Sequence, residues 1–276
     1  MMKVSVNSMK IGIIGYGIVG KAIENTLRKA YNVIKYDKYQ NLNSFEELSS
    51  CKFIFISVPT PFDCKSDLVD LSAINESLKK LSKLKYKGIV IIKSTIPPKT
   101  TDIYLESYNF NIIFNPEFLR ESTTPNEDFE NQDIVVIGTS SKSVFTDVKE
   151  MFSNVLVPHA KYYHTSTREA EMIKTAQNTM LASRVALANM IYDACERNNV
   201  DYQKVRQIAF DNFEILGPHM TQVPGPDGNR GFGGKCLPKD IRAFSTVYSS
   251  DLLNSIINYN DSLRDDLDDF LMNYKD

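Results

Sequence analysis

Two hydrophobic rhythms alternate along the chain. Short, almost wholly apolar runs stop at glycine, proline or polar residues, and longer stretches repeat apolar positions at helical spacing. KIGIIG (10–15), YNVIKYD (31–37), CKFIFISVP (51–59), KGIVIIKST (87–95), NIIFN (111–115) and DIVVIG (133–138) read as strands. IVGKAIENTLRKA (18–30) and LSAINESLKKLSKL (71–84) read as helices. Strands that are apolar on both faces and alternate with helices predict a parallel sheet covered on both sides. Near residue 166 the pattern turns helical, over 166–212 and again from 238 onward. Ser166 and Glu169 fit a capping box. The helix they open is expected to reach about Asn198, a length of roughly 45 Å. Residues 1–8 read as a lead-in before the first strand.

Composition narrows the class. The chain has 276 residues, 42% hydrophobic and 24% charged, which suits a globular protein of two domains. A formal net charge of −2 without a basic block argues against nucleic acid and anionic membrane surfaces. The N-terminal MMKVSVNSMK lacks a signal-peptide core, and no apolar run approaches the ~18 residues of a membrane helix. A cytoplasmic protein is expected. Cys51, Cys64, Cys195 and Cys236 are scattered without a CxxC pair, so neither a metal site nor a disulfide framework is expected. The three histidines show no triad spacing.

Four segments carry candidate chemistry. Gly15-Tyr16-Gly17-Ile18-Val19-Gly20 is a G-x-G-x-x-G loop between a strand and a helix, and Asp37 ends the next strand. Such glycines let a pyrophosphate approach the helix N-terminus, and the carboxylate suits the ribose hydroxyls of NAD. A Rossmann-type α/β domain over 1–165 and an all-helical domain over 166–276 with a long central helix are therefore expected. Lys174 and Asn178 stand four apart on that helix, where they suit a substrate hydroxyl, although spacing alone favours a solvated stripe. FNPEFLRES (114–122) puts Asn115, Glu117, Arg120 and Glu121 past a strand end. The glutamates could activate a water there, or cap a helix starting at Pro116. Thr95, ending KST, could face the cofactor from the same edge. In GFGGKCLPKD (231–240), Cys236 precedes a helix whose first turn holds Pro238 and Asp240. The helix dipole, with Lys235 and Lys239, would favour a thiolate, although a structural thiol is the plain alternative.

Together, GYGIVG (15–20), SVPTP (57–61), KSTIPP (93–98), FNPEFLRES (114–122), AEMIKTAQN (170–178) and GFGGKCLPKD (231–240) resemble the UDP-glucose/GDP-mannose dehydrogenase family, in its order and over nearly the whole chain. The resemblance implies oxidation of a nucleotide-sugar C6 alcohol to a uronic acid with two NAD, foremost UDP-glucose to UDP-glucuronate. It implies that Cys236 forms a thiohemiacetal and then a thioester. Lys174 and Asn178 would stabilise the alkoxide, and Asp240 would hold a water or move a proton. Glu121, with Glu117 and Thr95, would order the hydrolytic water. The cofactor would rest on Gly15, Gly17, Ile18, Val19, Gly20, Asp37, Pro59, Thr60 and Thr95. The sugar would meet Phe118, Leu119, Arg120, Lys174, Asn178, Arg230, Phe232, Gly233 and Gly234, the last three through backbone. A homodimer through the long helix is expected.

Family members carry a third, UDP-binding α/β domain. The acidic stretch 258–276 shows no glycine-rich βα pattern, so on this reading that domain is absent. Two alternatives follow: a two-electron dehydrogenase of the hydroxyacid type, or a non-catalytic NAD-binding remnant. Cys236 argues against the first. The retention of Lys174, Asn178, Cys236 and Asp240 argues against the second.

Overall fold

The computed structural model describes residues 9–63, 66, 68–118, 124–213, 216–217, 220–234 and 236–264. The chain divides into two compact units, Met1–Thr60 with Asp70–Lys174, and Pro61–Val69 with Thr175–Asp276.

The first unit is a seven-stranded sheet with helices. Its strands are β1 (Lys10–Ile14), β2 (Asn32–Tyr36), β3 (Phe53–Ile56), β6 (Ile89–Ile92), β7 (Asn111–Phe114), β8 (Ile134–Gly138) and β9 (Lys161–Thr165). Helices α1 (Ile18–Leu27), α2 (Ser72–Lys83), α3 (Thr100–Ser107), α4 (Pro125–Glu130) and α5 (Lys142–Ser153) connect them. The spatial order is β2-β1-β3-β6-β7-β8-β9. The order reverses at β1, because the chain goes first to β2 on one side and then to β3 on the other. Ligand crevices form at such a switch point, beyond the carboxyl ends of the strands.

Period-two alternation explains the all-apolar strands. Phe53, Phe55 and Ile91 enter one core with Ile11, Ile13, Ile23 and Phe152. Ile54, Ile56, Val90 and Ile92 enter the opposite core with Ile14, Leu78 and Phe114. Each strand is buried on both faces, as the sequence pattern requires.

Several expectations are corrected. The β7–β8 pair is antiparallel, joined at Phe114 and Gly138, while β9 runs parallel to β8. An all-apolar run reads the same in either direction, so patterning carries no strand polarity. Strand β9 escaped notice because KYYHT lies largely exposed and has no apolar run. No helix starts at Pro116: residues 115–118 are irregular and α4 begins at Pro125.

Helix α6 (Thr167–Arg197) opens with the expected capping box. The Ser166 N–H donates to Glu169 Oε2 at 2.7 Å, and the Glu169 N–H donates to Ser166 Oγ at 3.2 Å. Its second turn carries Glu171, fully buried, which accepts from the N–H groups of Lys99 (2.7 Å) and Thr101 (2.8 Å) and from Thr101 Oγ1. A carboxylate from α6 thus caps the start of α3. Burial raises the Glu171 pKa, against those three donors.

The second unit contains the rest of α6, then α7 (Tyr202–Arg206), α8 (Leu237–Val247), α9 (Asp251–Asp261) and a hairpin of β4 (Phe62–Asp63) and β5 (Leu68–Val69). The helical stretches read over 166–212 and from 238 onward each divide into separate helices, and α6 ends at Arg197, next to the expected Asn198. Asn199, at φ +54°, turns the chain after α6, and Asp201 caps α7 through the N–H groups of Gln203 and Lys204. Ser250 caps α9 through the Leu253 N–H. Ala182, Ala186, Phe232, Ile241 and Leu253 form one core, and Ala188, Cys195, Tyr202 and Val223 another. Among the described residues, no helix is long and apolar enough to cross a membrane.

Candidate active site

The carboxyl ends of β1, β3, β6 and β7 are stitched into one edge in the first unit. Gly15 takes φ +90°, a conformation open to glycine. Its carbonyl accepts from Ser57 Oγ at 2.8 Å. A Cβ on Gly15 would lie 2.6 Å from the Ser57 carbonyl oxygen, and one on Gly20 would lie 2.2 Å from the Gly15 oxygen. Strand, turn and helix are therefore in backbone contact, which only glycine permits. Gly17 differs, since a Cβ there would meet nothing within 4 Å. Gly17 is also the N-cap of α1, and no side chain caps that helix. An uncapped N-terminus with open space before it fits a pyrophosphate. Ile18 lies two-thirds exposed at the same mouth.

The Asp37 carboxylate accepts from the N–H groups of Tyr16 (2.8 Å) and Tyr39 (2.9 Å). It is thereby aimed beside the glycine loop, where ribose hydroxyls would fall. The adjacent Lys38 pairs with Glu76 at 2.9 Å. The loop after β3 is tied to the one after β6, because Thr60 Oγ1 donates to the Thr95 carbonyl at 2.8 Å and Ser94 Oγ to the Val58 carbonyl at 2.6 Å. Pro59 lies between these anchored residues.

Asp37→Ala is expected to weaken NAD binding by about 10–100-fold, in line with ~1.5–3 kcal/mol for hydrogen bonds to a charged group. Asp37→Asn, which keeps an acceptor for one of the two N–H groups, should lose less. Titration of both variants with NAD and NADP checks this, and an equal loss for the two cofactors would exclude a ribose contact.

Beyond β6 and β7 lies a buried polar cluster. Lys93 Nζ is 2.9 Å from Glu117 Oε2 and donates to Asn115 Oδ1 at 2.9 Å and to the Pro116 carbonyl at 3.3 Å. Asn115 Nδ2 reaches across to the Val136 carbonyl at 2.7 Å. Lys174 Nζ lies 5.7 Å over the Phe118 ring, within cation–π range. Leu119, Arg120 and Glu121 lie outside the described residues. Lys93 was missed in the sequence. Its signal was a lysine directly continuing an all-apolar strand.

On α6 burial runs against residue polarity: Lys174, Thr175 and Asn178 are buried, whereas Ile173 and Met180 are exposed. That disfavours a solvated stripe.

In the second unit, Asn178 Nδ2 donates to Asp240 Oδ2, and Lys239 Nζ lies 2.7 Å from Asp240 Oδ1. Asp240 is fully buried and Lys239 nearly so. Lys239 is thus engaged by its neighbour's carboxylate. Cys236 is exposed at the N-cap of α8, with no side-chain cap on the helix. Burial, by contrast, pushes the Cys51 thiol up to about 12. Lys235 lies outside the described residues.

The glycine-rich loop before Cys236 is clamped from the end of α9. The Phe232 side chain is core, its N–H donates to Asn260 Oδ1 at 2.6 Å, and its carbonyl accepts from Asn260 Nδ2 at 3.2 Å. Arg264 bonds the Arg230 and Gly231 carbonyls, and its guanidinium would sit 2.5 Å from a Cβ on Gly233. Gly234 adopts φ +76°. Arg230 pairs with Asp193 at 2.6 Å. Asn260 and Arg264 had no signal in the sequence, because their role depends on α9 folding back onto the loop.

A two-unit α/β and helical fold with a G-x-G-x-x-G switch-point loop defines a nicotinamide-dinucleotide dehydrogenase architecture. Residues 4–156 match the UDP-glucose/GDP-mannose dehydrogenase family, NAD binding domain, and residues 168–262 match the family's central domain. The chain belongs to the UDP-glucose/GDP-mannose dehydrogenase family. It is 30% identical over 231 residues to UDP-glucose 6-dehydrogenase of Rickettsia bellii, covering 81% of this chain and 50% of that protein. It is 31% identical over 235 residues to a UDP-glucose 6-dehydrogenase of Bacillus subtilis, covering 79% and 51%. The chain spans about half the length of the curated relatives it matches. In fold it resembles a UDP-glucose dehydrogenase of Pyrobaculum islandicum (TM-score 0.80, 23% identity, 95% of this chain and 70% of that one). It also resembles a 3-hydroxyisobutyrate dehydrogenase of Mycobacterium tuberculosis (TM-score 0.70, 15% identity, 94% and 95%).

Proposed function

We propose that this chain oxidises the C6 alcohol of a nucleotide sugar to the uronic acid, with UDP-glucose the expected substrate. The observation that carries the reading is the pairing of an exposed Cys236 at an uncapped helix N-terminus with the buried Asn178–Asp240–Lys239 cluster at the start of the same helix. Membership of the family supports it.

NAD, when bound, supplies a hydride acceptor. Gly15, Gly17, Gly20, Ile18 and Val19 would hold its pyrophosphate, Asp37 its ribose, and Pro59, Thr60 and Thr95 its far end. Lys174 Nζ and the Asn178 amide donate to the sugar oxygen as it gains negative charge. Cys236 sulfur adds to the aldehyde carbon: the C–S bond forms as the C=O π bond opens onto its oxygen, and the thiol proton passes to that oxygen through a water held by Asp240. After the second oxidation, water attacks the thioester carbon. The C–S bond breaks, the thiolate leaves, and Glu117 with Glu121 takes the water proton. Gly233 and Gly234 present backbone to the sugar, with Phe232 as their anchor. Phe118, Leu119, Arg120 and Arg230 line the sugar side. The product suits polysaccharide building, and the setting is cytoplasmic.

The test supplies UDP-glucose, GDP-mannose and UDP-N-acetylmannosamine with NAD and counts NADH per sugar consumed. A ratio of about two supports the four-electron reaction. A ratio of about one favours the hydroxyacid-type alternative, whose two-unit fold is matched over its full length by the mycobacterial enzyme. NAD binding without turnover favours a binding module.

The same reading includes a homodimer through α6. Met180 and Leu187, seven residues apart, are 66% and 52% exposed, and Met190 is 52% exposed. An exposed apolar stripe at this spacing is what a partner helix would cover. The double variant Met180→Glu/Leu187→Glu is expected to halve the mass seen by light scattering. An unchanged mass would remove α6 from the interface.

A further inference from the structure

Lys93 is the most deeply buried cation with a direct carboxylate partner at the candidate site, and the chemistry above leaves it without a task. It is 2% exposed, at the end of β6, a strand that is otherwise wholly apolar. A lysine there must be compensated, since an isolated ammonium in such surroundings costs several kcal/mol. The compensation is specific. Nζ meets Glu117 Oε2 at 2.9 Å, Asn115 Oδ1 at 2.9 Å and the Pro116 carbonyl at 3.3 Å, three consecutive residues of the loop after β7. Asn115 is itself tied to Val136 of β8. The other Glu117 oxygen, Oε1, accepts from the Phe118 N–H at 3.0 Å. The ammonium and the Phe118 N–H therefore hold one carboxylate oxygen each.

We propose that Lys93 is a positioning residue that acts through Glu117, holding its carboxylate ionised and aimed so that it can take the proton of the water that cleaves the Cys236 thioester. This rests on the role given to Glu117 above. Lys174 of α6 acts on Lys93 as a like charge and lies over the adjacent Phe118 ring. Burial lowers the Lys93 pKa, and Glu117 opposes that fall. Removing the ammonium leaves a carboxylate whose charged form has lost its closest opposite charge, which favours its protonation.

The test uses the full chain and Lys93→Met, which keeps the stem and removes the charge. The carboxyl carbon of Glu117, identified by its loss in Glu117→Gln, is followed by carbon-13 NMR against pH without any substrate. Its midpoint should rise by at least about one pH unit in Lys93→Met. With UDP-glucose and NAD, the acidic limb of kcat should move up likewise, KM should change by no more than a few-fold, and a sugar adduct on Cys236 should accumulate by intact mass. An unmoved Glu117 midpoint overturns the proposal, whether or not the chain turns over. Absence of NADH formation by wild type counts instead against the proposed function. If Lys93→Met does not fold, Glu117→Gln is compared with Glu117→Gln/Lys93→Met. A lysine that acts on the chemistry only through Glu117 adds nothing to the rate once that charge is gone, so the two should react alike. A further loss in the double variant overturns the proposal.

Discussion

Cys236→Ala is expected to abolish uronate formation, with a fall of at least ~10³-fold in the complete reaction, the scale typical of a lost nucleophile. The structure makes this a clean test. Cys236 is exposed and caps no backbone group of α8 with its side chain. Truncation at such a position should cost within about 0.5 kcal/mol of stability. A melting curve matching wild type, together with loss of product, therefore isolates the chemistry. The variant keeps Lys174, Asn178 and Asp240, so a first oxidation can still proceed. NADH per sugar should drop from about two to one or below, and no covalent sugar should appear on the protein. Full turnover by Cys236→Ala would sink the thioester route.

The second large effect separates two glycines in one motif. Gly20→Ala places a Cβ 2.2 Å from the Gly15 carbonyl oxygen. That oxygen cannot retreat cheaply, because Ser57 Oγ holds it and Gly15 is locked at φ +90° against Ser57 backbone. Overpacking of this kind costs about 1–3 kcal/mol, so Gly20→Ala should lower the melting temperature as well as NAD affinity. Gly17→Ala meets no atom within 4 Å, so its melting curve should stay near wild type. Its Cβ would nevertheless stand where the pyrophosphate must approach the uncapped α1. NAD affinity should fall by about tenfold or more, the scale of ~1.4 kcal/mol. Parallel melts and cofactor titrations check both. If Gly17→Ala binds NAD like wild type, the pyrophosphate does not pass that residue.

Much of the fold was legible because local rules and burial agree in the first unit. The glycine loop, Asp37 at the end of β2 and the Ser166–Glu169 box are short-range features, encoded by spacing alone. The motif KSTIPP is legible in the sequence and marks Thr95, which is partly exposed, but beyond its place after an apolar run nothing local marks the buried Lys93. A buried charge is recognisable only when its partner is known, and Glu117 lies on the next strand's loop. The same holds for Asn260 and Arg264, which have no local pattern and gain meaning by reaching Phe232 and Gly233.

The division of labour is physical. Hydrophobic periodicity, turn chemistry and the residue types of a reactive loop act over a few neighbours, so the sequence by itself determined the α/β class, the dinucleotide loop, the long capped helix and the suspicion attached to Cys236. Strand direction, the burial of polar residues along α6 and the partners Lys93–Glu117 and Asn178–Asp240 depend on which surfaces meet and how much water they exclude. Those were decided only by the tertiary structure, because desolvation and pairing energies belong to distant residues brought together and to neither one alone.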